Sequence, residues 1–239
     1  MLLPAQEMEH RMPQRMMTVY ALLAGALMAT FQLARPWGDI GEEPDAMAGA
    51  FADTRWVIAH LAGAASFVML ALLADAVAAK SSTAAAEGDS SRPRVARIAK
   101  VLMAAGAVLV LPYYGAETFA LHEIGRFVQS GASIDVVALS DAIRMNIAAV
   151  TLFGIGLLLI AVAGICLSMA SVRAGVASWG AWPIGVLAAL ALPQFALPPV
   201  GRMTYGVVFL VAAILFAVAA SARVRSRRDA VSRARPSGR

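Results

Sequence analysis

Residues 145–170 read MNIAAVTLFGIGLLLIAVAGICLSMA, an unbroken apolar run with no charged side chain. About 20 such residues wound as an α-helix cross a bilayer core roughly 30 Å thick, so this stretch is long enough to span it at a tilt. Reading it as a membrane span decides the fold class. Cys166, inside the run, is the only cysteine in the chain. No disulfide framework and no cysteine-based metal site within one chain is therefore available, and the thiol reads as a small buried hydrophobe.

On either side the pattern repeats. Runs of similar character at 16–34, 56–79, 98–120, 176–192 and 203–220 bring the expected number of spans to six. The run at 176–192 is the weakest, being short and carrying Pro183 and Pro193; if it is re-entrant, the number drops. The chain of 239 residues is 60% hydrophobic and 15% charged, with a mean hydropathy of +0.71. That lies outside the composition of a soluble domain and leaves no room for a separate one. The expected fold is all-α, a polytopic integral membrane protein. Residues 1–15 form a cytoplasmic N-terminus, 16–220 a six-helix transmembrane bundle, and 221–239 a basic cytoplasmic tail without fixed structure.

Orientation follows from lysine and arginine, which are retained on the cytoplasmic side. With both termini inside, Arg11, Arg15, Lys80, Arg92, Arg94, Arg97, Lys100, Arg173 and the seven tail arginines are cytoplasmic, fifteen of the 20 basic residues. Five remain outside, Arg35, Arg55, Arg126, Arg144 and Arg202, against nine of the 15 acidic residues. The net +5 thus divides into +9 inside and −4 outside. The alternation holds across every connection, which a missed span would invert. The first run, behind a basic N-terminus, lacks a small-x-small cleavage site and reads as a retained anchor. Arginine and alanine dominate the composition as in a GC-rich bacterium, so the expected location is a bacterial plasma membrane. The serine-rich loop at 80–97 reads as a mobile linker.

Polar residues inside the spans gather at one end. Glu117 closes the third run in PYYGAETFALHEIGR, residues 112–126, near the outer boundary. His60 lies about one turn below the same surface on the second run, at similar depth. Arg144 and Asn146 open the fourth, and Gln194 and Arg202 flank the last connection. Ionisable groups in a span are costly and face the bundle interior, paired or wet, which makes them candidates for function. For Glu117 the structural alternative is an ion pair with Arg144 or Arg202 that fixes helix register. Pro112 is expected to kink the helix before Tyr113 and Tyr114, which otherwise read as interfacial-belt residues. The candidate ligand-binding set is Glu117, His60, His122, Arg126, Arg144, Asn146 and Tyr113.

No metal site is expected. At about 100° per residue, Glu117 and His122 point roughly 140° apart on a continuous helix, and only a helix break would let them share an ion. His122 to Arg126 reads HEIGR, with Arg where a zinc-protease motif needs its second His. His60 with His122 supplies one facing pair for a haem at most. No particular cofactor is implied, and neither nucleophile nor phosphate cradle is visible. Small-residue pairs, Gly25 with Ala29, Ala62 with Ser66 and Gly154 with Gly156, suit close helix packing.

The leading functional reading is a non-enzymatic membrane protein that binds or passes a small solute in an outward-facing polar cavity. The alternatives are a membrane-embedded enzyme acting on a lipid-like substrate at the outer leaflet, with Glu117 or His122 as general base, and a structural or regulatory role. The expected partners are the bilayer, a small solute, and anionic lipid at the basic tail. No folded module in the sequence supports binding of nucleic acid.

Overall fold

The computed structural model describes residues 5–41, 43–85 and 92–234, with side chains over 13–41, 43–82 and 94–222. Among them it is all-helical: α1 Ala5–Ala34, α2 Pro44–Ala52, α3 Thr54–Ala85, α4 Arg92–Gly115, a π turn Ala116–Ala120, α5 Leu121–Gln129, α6 Val136–Arg144, α7 Ile147–Arg173, α8 Ser178–Ala189, a 3-10 turn Pro193–Ala196, and α9 Pro199–Ala234. Local chemistry sets the boundaries. Pro44 and Pro199 sit in first turns, where a missing N–H costs nothing. The side chains of Asp135 and Asn146 cap α6 and α7, accepting from the backbone N–H groups of Ala138 and Ala149. Gly175, at φ +96°, takes the left-handed turn that ends α7 and lets α8 double back.

Five stretches are long and apolar enough to cross a membrane: Pro13–Ala34, Thr54–Ser82, Arg94–Gln129, Ile147–Arg173 and Pro199–Ala222. The sixth expected span, at 176–192, is not among these five: it meets α8, a helix of 12 residues and so about 18 Å long, shorter than the bilayer core. Pro183 lies within α8 without ending it. The helix ends at Ala189, where Leu190 departs to ψ 4°, and the chain turns through Leu192 into the 3-10 turn at Pro193.

The long helices and α8 close a ring in the order α1, α3, α4, α7, α8, α9, with α9 packed back on α1. Each neighbour is antiparallel to the last. Ser66 Oγ donates to Ala24 O, Trp56 Nε1 to Glu117 O, Ser168 Oγ to Ala181 O, and Tyr205 OH to Leu187 O. Gln14 Nε2 donates to Ala220 O, which joins the start of α1 to the end of the apolar part of α9. Glycines let several pairs touch: a Cβ on Gly185 would stand 2.3 Å from Gly164 O. The interior is apolar, with Met17, Leu70, Met103, Leu157, Ile160, Phe209 and Phe216 fully buried. The outward faces are apolar as well: Val108, Leu158, Val162 and Val218 are more than half exposed, as lipid contact requires.

One end of the ring carries a cap of short helices that lie outside the expected spans. Helices α2, α5 and α6 enclose a second core of Met47, Phe51, Trp56, Leu121 and Val136. A Cβ on Gly125 would lie 2.5 Å from Ala52 N and 2.6 Å from Phe51 Cβ, so α5 rests on α2 only because residue 125 has no side chain. Pro112 lies inside α4 without interrupting it, and the departure from α-geometry comes later, at the π turn. At the other end α9 stays helical to Ala234, where an unstructured tail was expected from 221. No proline or glycine stops it before Pro236. The expected 80–97 linker is helical at both ends, in α3 to Ala85 and in α4 from Arg92; residues 86–91, and the tail beyond Ala234, lie outside the described residues.

A cavity of buried charges at the capped end

Beneath the cap a cavity of about 460 Å³ opens among the ends of α1, α3, α4, α7 and α9. Its polar wall is a chain of alternating charge. Arg35, just past the end of α1, donates to Asp39 Oδ2 in the loop that follows. The same oxygen accepts from Arg144 Nη2 at 2.8 Å, and Arg144 Nε donates to Glu117 Oε1 at 2.7 Å. Arg35, Asp39 and Glu117 are all at least nine-tenths buried. Burial opposes the Arg144 charge, but the Glu117 and Asp39 carboxylates outweigh it and hold the guanidinium above the ordinary arginine range.

His60 ends the chain. Its Nδ1 lies 2.7 Å from Trp56 O, and since a carbonyl only accepts, Nδ1 carries the hydrogen. Nε2 faces Glu117 Oε2 at 3.1 Å, off the line of a hydrogen bond. The contact sets the imidazole edge against a buried carboxylate. The imidazole is clamped by the Trp56 ring, 4.1 Å away between centroids, and by Phe31 at 5.5 Å. The Arg35 guanidinium lies 4.9 Å from the centre of the Trp56 ring.

The rest of the wall is largely aromatic, with Tyr113 stacked on Phe153 at 4.3 Å and Phe153 against Phe195 at 5.5 Å. Arg202, in the first turn of α9, enters from the far side. Its Nε donates to Leu197 O at 3.0 Å and its Nη2 to Phe195 O. Among the described residues it meets no carboxylate.

Of the seven candidates, the structure brings Glu117, His60, Arg144 and Tyr113 to this cavity. The other three stand elsewhere. His122 Nδ1 is held 2.7 Å from Phe51 O, tying α5 to α2. Arg126 pairs with exposed Glu123 at 3.3 Å, and Asn146 caps α7. The π turn leaves α4 and α5 continuous, so no break turns His122 toward Glu117. Among the described residues no three His, Cys, Asp or Glu side chains gather as for a metal ion. Sequence reasoning missed Arg35 and Asp39, which it counted as loop charge. The available signal was their i,i+4 spacing directly after an apolar run.

The lining contains two carboxylates, three guanidiniums, an imidazole and two phenols, but no Ser, Thr, Cys or Lys. Its carboxylates and imidazole are groups that can bind a solute or exchange a proton. Comparison with protein families, with curated proteins and with solved structures finds no match to this chain.

Proposed function

We propose that the protein is a six-crossing protein of a bacterial plasma membrane, with both termini cytoplasmic, that binds a small solute in the cavity at its outer end. The observation that carries this reading is a cavity of about 460 Å³ walled by buried charges and aromatic rings, within the size range of small-molecule sites. Six crossings are supported by the antiparallel ring. Across it, α8 and the following turn run from the level of Ser168 and Ala219, at Gly180 and Ala181, to that of Phe153 and Arg202, at Phe195. Orientation is supported by the +9 and −4 division of charge. The enzymatic alternative keeps Glu117 as its general base in the cavity, but not His122, which ties α5 to α2. The structural alternative gains from the charge chain, which ties α1, α3, α6 and the π turn together.

Gly154 lines the cavity, and a Cβ there would meet nothing within 4 Å. Gly154→Phe should therefore fill the cavity while leaving the helix contacts intact. Thermal-shift screening of the detergent-solubilised full chain against small carboxylates, amines, alcohols and neutral amphiphiles should find compounds that stabilise wild type but not this variant. If every stabiliser acts equally on both proteins, or none is found, the solute reading fails and the charge chain is left as a structural device.

A further inference from the structure

Resting on the solute-binding reading, we propose that the ligand is an amphipathic organic monoanion. Its charged head sits at Arg202, and its apolar body runs along the aromatic wall to a mouth that faces lipid. Charge balance gives the head. Arg35 and Arg144 are matched by Asp39 and Glu117 through direct contacts. Among the described residues Arg202 is left over, held by two backbone carbonyls and by ring faces, with its guanidinium 5.5 Å from the centre of Phe195 and 5.8 Å from that of Trp37. Carbonyl dipoles and ring faces soften a cation at a membrane interface without neutralising it, and the remaining deficit is one negative charge. Two buried donors among the lining residues, Arg35 Nε and Tyr114 OH, also have no partner, nor do Asp39 Oδ1 and His60 Nε2; a donor on a guanidinium is best met by an anionic acceptor.

The rim gives the body. The lining residues that are most exposed are all apolar: Ile40 at 44%, Leu192 at 37% and Val150 at 36%. The charged lining residues are buried or half-buried behind them. A mouth open to water would carry its polar groups at the rim. Here Val150 of α7 and Leu192 beyond α8 belong to the apolar exterior of the ring, and Gly154 leaves space between them and the interior. An acyl chain can lie across such a rim with its head inside. The shared chemistry is one negative charge on an apolar chain, whether of a free fatty acid or of an anionic phospholipid.

Binding of oleate, oleyl alcohol and hexanoate to the full chain in neutral nanodiscs tests this, with dioleoylphosphatidylglycerol titrated into the discs as a second arm. The proteins to compare are wild type, Arg202→Gln, Arg202→Lys, Gly154→Phe and Arg126→Gln, each first shown to be monodisperse with a wild-type melting profile. Saturable binding of oleate or of the phospholipid is expected, weakened roughly tenfold or more in Arg202→Gln. It should be largely kept in Arg202→Lys, lost in Gly154→Phe and unchanged in Arg126→Gln. Oleate alone identifies a free acid, and the phospholipid alone identifies a membrane lipid. Oleyl alcohol binding as tightly as oleate, or Arg202→Gln binding as tightly as wild type, overturns the anion assignment while cavity binding stands. Hexanoate binding as tightly as oleate overturns the apolar body. If no probe binds in a way that Gly154→Phe abolishes, the assignment falls together with the solute reading. Should Arg202→Gln not fold, Arg202→Lys and the alcohol comparison still decide the point.

Discussion

Arg144 stands between two carboxylates, and that position sets what each neighbour costs to remove. Glu117→Gln leaves Arg144 its contact with Asp39, so the cation is not orphaned. The expected loss is about 1–3 kcal/mol, below the ~3–5 kcal/mol of a fully broken buried pair. Adding Arg144→Gln should cost less than the sum of the two single changes, because the contact is already gone. Unfolding of the single and double variants in mixed micelles measures this, and strict additivity would contradict the direct contact. Glu117, His60 and Arg144 were legible because an ionisable residue in or beside an apolar run has no other reason to be there. Asp39 was not, since its burial depends on α1 and α6 meeting, which local pattern does not encode. His122, Arg126 and Asn146 misled for the converse reason. They are close to Glu117 in depth but serve the cap and the helix start.

At the scale of elements, length and apolarity made the long helices legible, whereas the short ones depended on contacts distant in sequence. Leu121, Ile124 and Val128 lie on one face of α5 at helical spacing and pack into the cap core. What that face packs against is set by α2, which lies far from it in sequence, and by α6. The π turn was likewise invisible: no residue type demands it, and it is seen only where the Glu117 side chain is turned to the interior beside His60 and Arg144. The cap makes a sharp forecast at Gly125. Replacement by Leu must push α5 off α2, since even a Cβ there meets Ala52 N at 2.5 Å. A loss of about 1–3 kcal/mol is expected from the overpacking. The Trp56 fluorescence environment should change with it, because Trp56 belongs to the same core. An unchanged stability and spectrum would mean that the cap does not pack as described.

For the whole molecule, the proposed six crossings and the charge surplus expected on one side would both place the two chain ends together. An alkaline phosphatase reporter, active only outside, should be silent when fused after Arg239 and active when placed near Gly41; activity at the C-terminal fusion would break the six-crossing reading. Composition made the membrane class plain, and the basic residues suggested the side. The closure of α9 onto α1 was unreadable, because it rests on Gly25 against Ala213 and Gln14 against Ala220, pairs with no local signature. That closure separates the order in which helices are made from the order in which they pack. A linker from the start of α1 to the basic end of α9, with the chain reopened between α3 and α4, would keep every neighbour and both sides. It would make α4 the first helix to leave the ribosome and α3 the last. Such a permuted protein asks whether the bundle is assembled by the sequence of its insertion or only by the fit of its surfaces.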